Sequence, residues 1–354
     1  MAIASTRAAN NIVGEFEFDP SWRSYKSNEY NEYRKIFDEY AKGKPIDYGI
    51  IRTPINLEVE STYHCNLQCP YCPRMVDPKS KIHKHINTNV WETLVSQIRG
   101  SDTKALMMDH EGEALLNPKL VSMIEEARSA GIIDVWLHTN ANLLSERRSK
   151  ELIEAGVDKL NISIDATTEE TYKKVRPGGS LKLVENNVRG FLELKRKMNR
   201  NDIRVRVSFL YHDLNQHERK AFIERWKDHV NMVAIQSMLT MSCFESPREF
   251  LRQRTTNEKD QRQLSRFTCD NLWTVPVIDT DGNLTACGMP LRPSTSSELI
   301  IGNIMEESLE NLWNSHKLTQ LRSNHKNHNL SNNLTCQACA LSCGEAAEEQ
   351  DKLD

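Results

Sequence analysis

Between residues 53 and 239, two patterns of apolar and polar positions alternate along the chain. Short runs with period two or continuous apolar character fall at 55–62, 104–113, 134–142, 158–166, 203–211 and 232–239, and each predicts a strand, the second running into a polar turn. Between them, stretches with apolar residues every three or four positions predict helices at 90–100, 118–131, 145–156, 180–198 and 214–230. Their ends carry matching punctuation. Pro118 opens one helix and Gly131 closes it, while Ser145 caps another that Gly156 stops.

Six strand–helix alternations within about 190 residues imply a parallel sheet with helices outside it and right-handed crossovers. A closed eight-fold barrel needs about 250 residues, so the expected fold is α/β, an open partial (β/α)6 barrel over 51–245. Its chemistry should gather at the C-terminal ends of the strands. Residues 1–50 form an extension with one expected helix, where Tyr30, Tyr33, Ile36, Phe37 and Tyr40 recur at helical spacing. After a charged stretch at 245–266 the alternation gives way to short strands, turns and cysteines. This predicts a second domain at 267–345 and an acidic tail at 346–354.

Composition adds limits. The charged fraction of 27% is that of an ordinary soluble chain, and no apolar run reaches the roughly 18 residues of a membrane span. The expected location is cytoplasmic. A net charge of −3 gives no electrostatic case for nucleic acid or anionic membrane partners. Nine cysteines change the picture more. In a reducing compartment, clustered cysteines read as metal ligands or redox groups rather than disulfides. Cys65, Cys69 and Cys72 sit in one loop after the first strand; Cys269, Cys287, Cys336, Cys339 and Cys343 lie near the C-terminus; Cys243 stands alone.

Thiolates are soft ligands suited to iron–sulfur clusters or zinc, and three of them on a cuboidal cluster leave one iron open. The run from His64 to Cys72, with Tyr71 before the third cysteine, resembles the signature of the radical S-adenosylmethionine superfamily. The resemblance implies a four-iron four-sulfur cluster on Cys65, Cys69 and Cys72. Its open iron would bind S-adenosylmethionine, which is cleaved to a 5′-deoxyadenosyl radical. The alternative is a zinc knuckle taking His64, His83 or His85 as fourth ligand.

Further segments at consecutive strand ends fit the same resemblance. Residues 110–113 stand where the family carries a Gly-Gly-Glu turn, which makes Glu113 an acceptor for the cofactor's ammonium and puts Glu111 in the place of the first glycine. Asn140 follows the third strand, and Ser163 and Asp165 end the fourth. The resemblance implies that Tyr71, Asn140 and Ser163 contact the cofactor and that Arg176 pairs with its carboxylate.

The C-terminal cysteines resemble the auxiliary-cluster domains called SPASM and its shorter form, twitch. Five cysteines support one further four-iron four-sulfur cluster. Cys269, Cys287, Cys336 and Cys339 match the twitch arrangement best, with Cys343 able to replace one of the last two; the alternative is a structural zinc site. Together these imply a radical oxidoreductase acting on a small polar substrate, a carbohydrate or aminocyclitol alcohol. The auxiliary cluster would accept an electron, and a flavodoxin or ferredoxin would supply the first. The other readings are a peptide-modifying enzyme, an epimerase using Cys243 as hydrogen donor, and a non-catalytic zinc scaffold. His110 and His138 also sit at strand ends, while His316, His325 and His328 are expected in solvent.

Overall fold

The computed structural model describes residues 12–41, 51–76, 83–238, 247–253, 258–267, 269–288 and 297–351. The strands are β1 (Ile12–Glu17), β2 (Asn56–Val59), β3 (Ala105–Met107), β4 (Asp134–Thr139), β5 (Lys159–Ser163), β6 (Arg204–Tyr211), β7 (Met232–Ser237), β8 (Val277–Ile278), β9 (Asn283–Thr285) and β10 (Ile300–Asn303). All join one sheet in the order β1-β7-β6-β5-β4-β3-β2-β8-β9-β10. From β2 to β7 every neighbouring pair is parallel and consecutive in sequence, which is the expected open six-stranded barrel.

Period-two alternation sorts the side chains of these six strands. Leu57, Val59, Leu106, Val135, Leu137, Leu160, Ile162, Val205, Val207, Val233 and Ile235 face outward into one core with Leu94, Ile124, Leu152, Val188 and Phe222 of the helices. Each such side chain, fully buried, stabilises the fold by about 1.5–3 kcal/mol. The intervening positions face the lumen and include polar residues in every strand but β3, and are mostly apolar in β7. Asn56, Glu58, Trp136, His138, Lys159, Asn161, Arg204 and Arg206 meet there in a register that aligns His138 with Asn161 and Asn161 with Arg206.

The crossover helices follow their predicted frames. Asn87 caps Thr88–Ile98 by accepting from Asn89 N, and the Ser145 side chain accepts from Arg148 N at Glu146–Ala155. Gly156 ends that second helix at φ 99°, a left-handed conformation that a side chain would oppose.

The N-terminal extension holds the expected helix, Asn28–Ala41, and a strand that the pattern did not predict. β1 pairs antiparallel with β7, setting Phe16 opposite Val233 and Glu17 opposite Met232. Trp22, Tyr30, Tyr33 and Phe37 pack with Ile55 and Ala105 beneath the strands' N-terminal ends. Tyr33 Oη donates to Asp134 Oδ2 at 2.9 Å, and Lys159 pairs with the same carboxylate.

At the other edge, β8 runs parallel to β2, with Glu58 N donating to Pro276 O and Glu60 N to Ile278 O, both at 2.9 Å. The C-terminal segment thus continues the barrel sheet. A second core gathers Phe250, Phe267, Leu272, Trp313, Leu318 and Leu330 around Cys269, Cys287, Cys336 and Cys339. The last helix, Leu334–Asp351, reaches back to β1 and β7. Residues expected as a tail are therefore helical as far as Asp351. His325 is also corrected. Only 1% exposed inside the helix His316–Lys326, it is buried among apolar groups, and burial drives its pKa down to about 4. Among the described residues, no helix is long and apolar enough to cross a membrane.

Candidate functional site

Directly beyond β2, the chain turns through Cys65, Cys69 and Cys72, with Cys72 N donating to Cys69 O at 3.0 Å and Met75 N to Cys72 O at 2.9 Å. The three thiols are half-buried and none is in a disulfide among the described residues. Burial raises the pKa of each, that of Cys72 to about 12, so metal binding must expel protons from them. Two neighbouring loops hold this one in place. Glu113 N donates to His64 O at 2.8 Å, and Gln68 N donates to Pro177 O at 3.1 Å. Gly112 lies so close that an added Cβ would meet Thr62 O at 2.0 Å, so only glycine fits there.

The predicted strand-end residues converge on this loop. Glu113 is buried, and the protein itself occupies its carboxylate. Oε1 accepts from Leu115 N at 3.2 Å and Thr139 Oγ1 at 2.7 Å, and Oε2 accepts from Asn140 N at 2.7 Å. Asn140 in turn donates from Nδ2 to Asn66 Oδ1 at 2.9 Å, joining the end of β4 to the cysteine loop. Arg176 is tied to Asp165, with Nε 2.8 Å from Oδ2, and its guanidinium lies within electrostatic reach of Cys69. Asp165 also accepts from Leu210 N at 2.7 Å, fixing it at φ 63°. Tyr71 packs against His212 with ring centroids 4.1 Å apart. Ser163 ends β5 half-buried, level with Ser208 of β6. Cys243 lies outside the described residues.

Below this rim the lumen carries groups that the motif pattern did not single out. Glu58 and His110 form a buried pair, Nδ1 to Oε1 at 2.8 Å. Burial opposes the charge on His110, but Glu58, then Glu111 and Glu60, outweigh it and lift its pKa to about 10. Asp109 holds His138 twice, accepting from its backbone N and from Nδ1, both at 2.8 Å. A carboxylate only accepts, so Nδ1 is the nitrogen that donates to it, and in the neutral ring Nε2 is the acceptor. Asn161 Nδ2 lies 3.0 Å from that nitrogen, and Arg206, held by Glu15 at 3.0 Å, stands beside it. Sequence reasoning reached the two histidines but missed Glu58, Asp109, Asn161 and Arg206. Their signal was the polar half of each strand's alternation.

In the C-terminal segment Cys269, Cys287, Cys336 and Cys339 are all buried, and the charges of Cys287 and Cys336 act on Cys269. Asn271 Nδ2 points at Cys287 Sγ from 3.9 Å. For Cys343 the structure describes only the helical backbone. A single zinc ion requires ligands that meet about 2.3 Å from one point. Among the described residues, no three His, Cys, Asp or Glu side chains meet that way. Three thiols in one loop and four more inside an apolar core have the donor chemistry of iron–sulfur clusters.

Comparison with known proteins agrees with this donor chemistry. The model of the Radical SAM superfamily matches residues 59–225, and that of the SPASM iron-sulfur cluster-binding domain matches residues 269–340. A GTP 3′,8-cyclase of Limosilactobacillus fermentum is 28% identical over 209 residues, covering 58% of this chain and 58% of that protein. The chain spans about half the length of the curated relatives it matches. Among solved structures, BtrN in complex with AdoMet and 2-DOIA aligns with a TM-score of 0.52 at 18% identity, over 80% of this chain and 91% of that one. SuiB of Streptococcus suis, bound to precursor peptide SuiA, aligns at 0.53 and 15% identity, over 90% and 76%. At these identities the likeness is one of fold.

Proposed function

The chain is a radical S-adenosylmethionine enzyme with a C-terminal SPASM-type domain, and from that premise we propose that it oxidises a secondary alcohol of a small polar substrate, a carbohydrate or aminocyclitol. When bound, S-adenosylmethionine and the cluster on Cys65, Cys69 and Cys72 supply a 5′-deoxyadenosyl radical that abstracts hydrogen, and the auxiliary cluster supplies an acceptor for one electron. The chain's own residues have the remaining work. Cys269, Cys287, Cys336 and Cys339 hold the auxiliary cluster. Ser163, Asn140 and Tyr71 line the cofactor's place, and Arg176 stands beside the loop as a partner for a carboxylate.

The reading is carried by His138. Turning a carbinol into a ketone removes one hydrogen atom, one electron and one hydroxyl proton. His138 Nε2, unprotonated and facing the lumen, takes that proton once the hydroxyl displaces the Asn161 amide; Asp109 then stabilises the imidazolium. Glu58, Asn161 and Arg206 offer a polyhydroxylated substrate acceptors and donors around the same space.

The test is anaerobic reconstitution with a low-potential donor such as flavodoxin or ferredoxin, S-adenosylmethionine and a panel of cyclitols, aminocyclitols and sugars. A substrate should accelerate release of 5′-deoxyadenosine, pass deuterium from its carbinol carbon into it, and yield a carbonyl trapped by hydrazine. Deuterium transfer without a carbonyl, or acceleration only by GTP or a peptide, would defeat the alcohol reading.

A further inference from the structure

The Glu58–His110 pair sits where the barrel meets the C-terminal segment, and the two oxygens of its carboxylate have different neighbours. Glu58 stands in register with Val277 of β8, and from Val277 the sheet passes to Thr285 of β9, two residues before Cys287. Gly288, the residue after Cys287, is pressed against the carboxylate: a Cβ there would meet Glu58 Oε2 at 2.2 Å and Val277 Cγ2 at 3.1 Å. The other oxygen, Oε1, holds His110 Nδ1 at 2.8 Å. The nearest atoms to the Gly288 position belong to Glu58 and Val277, not to His110. Negative charge therefore lies against the segment that carries Cys287, and the compensating positive charge lies behind it. Both side chains are 8% exposed, so solvent screens this arrangement little. Burial opposes the charge on His110, but Glu58 outweighs it, and the pair is ionised at neutral pH.

Cys287 is one of the four thiols suited to the auxiliary cluster. Nearby charge and N–H donors at sulfur set the potential of such a cluster. Asn271 Nδ2, 3.9 Å from Cys287 Sγ, is a donor of that kind and favours the reduced state. A carboxylate against the next residue works in the opposite sense, because it opposes an added electron more strongly than the imidazolium behind it favours one. We infer that Glu58 holds the auxiliary cluster's reduction potential down from the lumen side of the seam, with His110 as the positioning residue that keeps it ionised and in place. An electron taken from the substrate then stays strong enough to be handed on. The inference rests on the auxiliary cluster and not on alcohol oxidation, so it holds for any substrate.

The experiment is an anaerobic redox titration, followed by electron paramagnetic resonance, of full-length Cys65→Ala protein, in which only the auxiliary cluster remains. Adding Glu58→Gln, which keeps the side chain's shape, should favour the reduced cluster by about threefold to tenfold, the upper figure being about 59 mV for one electron. Glu58→Gln combined with His110→Gln, which strands no charge, serves as a second variant and should shift the midpoint the same way. In Cys336→Ala protein, where only the cluster of the cysteine loop remains, Glu58→Gln should move the midpoint much less. An unchanged or lowered auxiliary midpoint in both variants at full iron content, or an equal rise at the cysteine loop, would overturn the inference. Cys65→Ala protein without iron would overturn it together with the auxiliary-cluster assignment. Carbonyl formation tests the alcohol reading separately, and neither midpoint bears on it.

Discussion

A histidine gripped by one carboxylate at both backbone and ring, as His138 is by Asp109, exchanges protons only through its far nitrogen. Asp109→Asn should therefore lower turnover by about 10²–10⁴-fold, the range of a positioned base, with a much smaller change in KM. 5′-Deoxyadenosine should continue to form without matching ketone, which chromatography of both products will measure. The Glu58–His110 pair makes a different prediction. Its folded pKa of about 10 exceeds the unfolded value near 6.5, so its contribution to stability is complete below 6.5 and lost as pH rises through 10. Denaturant titrations should show wild-type stability falling across that window. His110→Gln should flatten the fall and cost about 3–5 kcal/mol at neutral pH by stranding Glu58. At this scale the cysteines and the rim residues were legible because a motif marks them. The internal hydrogen bonds of Glu113 were not, because sequence does not say that neighbouring backbone and Thr139 will take that carboxylate's lone pairs.

The crossover units were legible for a physical reason: each strand buries one face against helices, so its apolar half stands out every second residue. β1 was not. Its partner β7 lies more than two hundred residues away, and six residues beside charged neighbours give little local signal. That strand brings Glu15 to Arg206, and the segment after it brings Trp22 under the barrel. Trp22→Ala should destabilise the protein by about 3–5 kcal/mol, read from the urea midpoint. Glu15→Ala should cost a similar amount by leaving Arg206 buried without its counter-charge, even though neither residue reaches the cysteine loop.

At the scale of the whole molecule, two groups of thiols are held by one sheet. Cys65→Ala and Cys336→Ala should each reduce iron from about eight to about four per chain and leave the other cluster's absorbance in place. Cys343→Ala should retain about eight. The seam between barrel and C-terminal segment is intimate. Glu58 Oε2 lies so near Gly288, the residue after Cys287, that a Cβ there would approach it to 2.2 Å. The backbone bonds from Glu58 to Pro276 and from Glu60 to Ile278 lace the same seam. Tunnelling falls off exponentially with separation, so in the proposed oxidation a joint made of main-chain rungs, unlike a docked surface, would hold the lumen and the auxiliary cluster at a constant separation while substrates come and go.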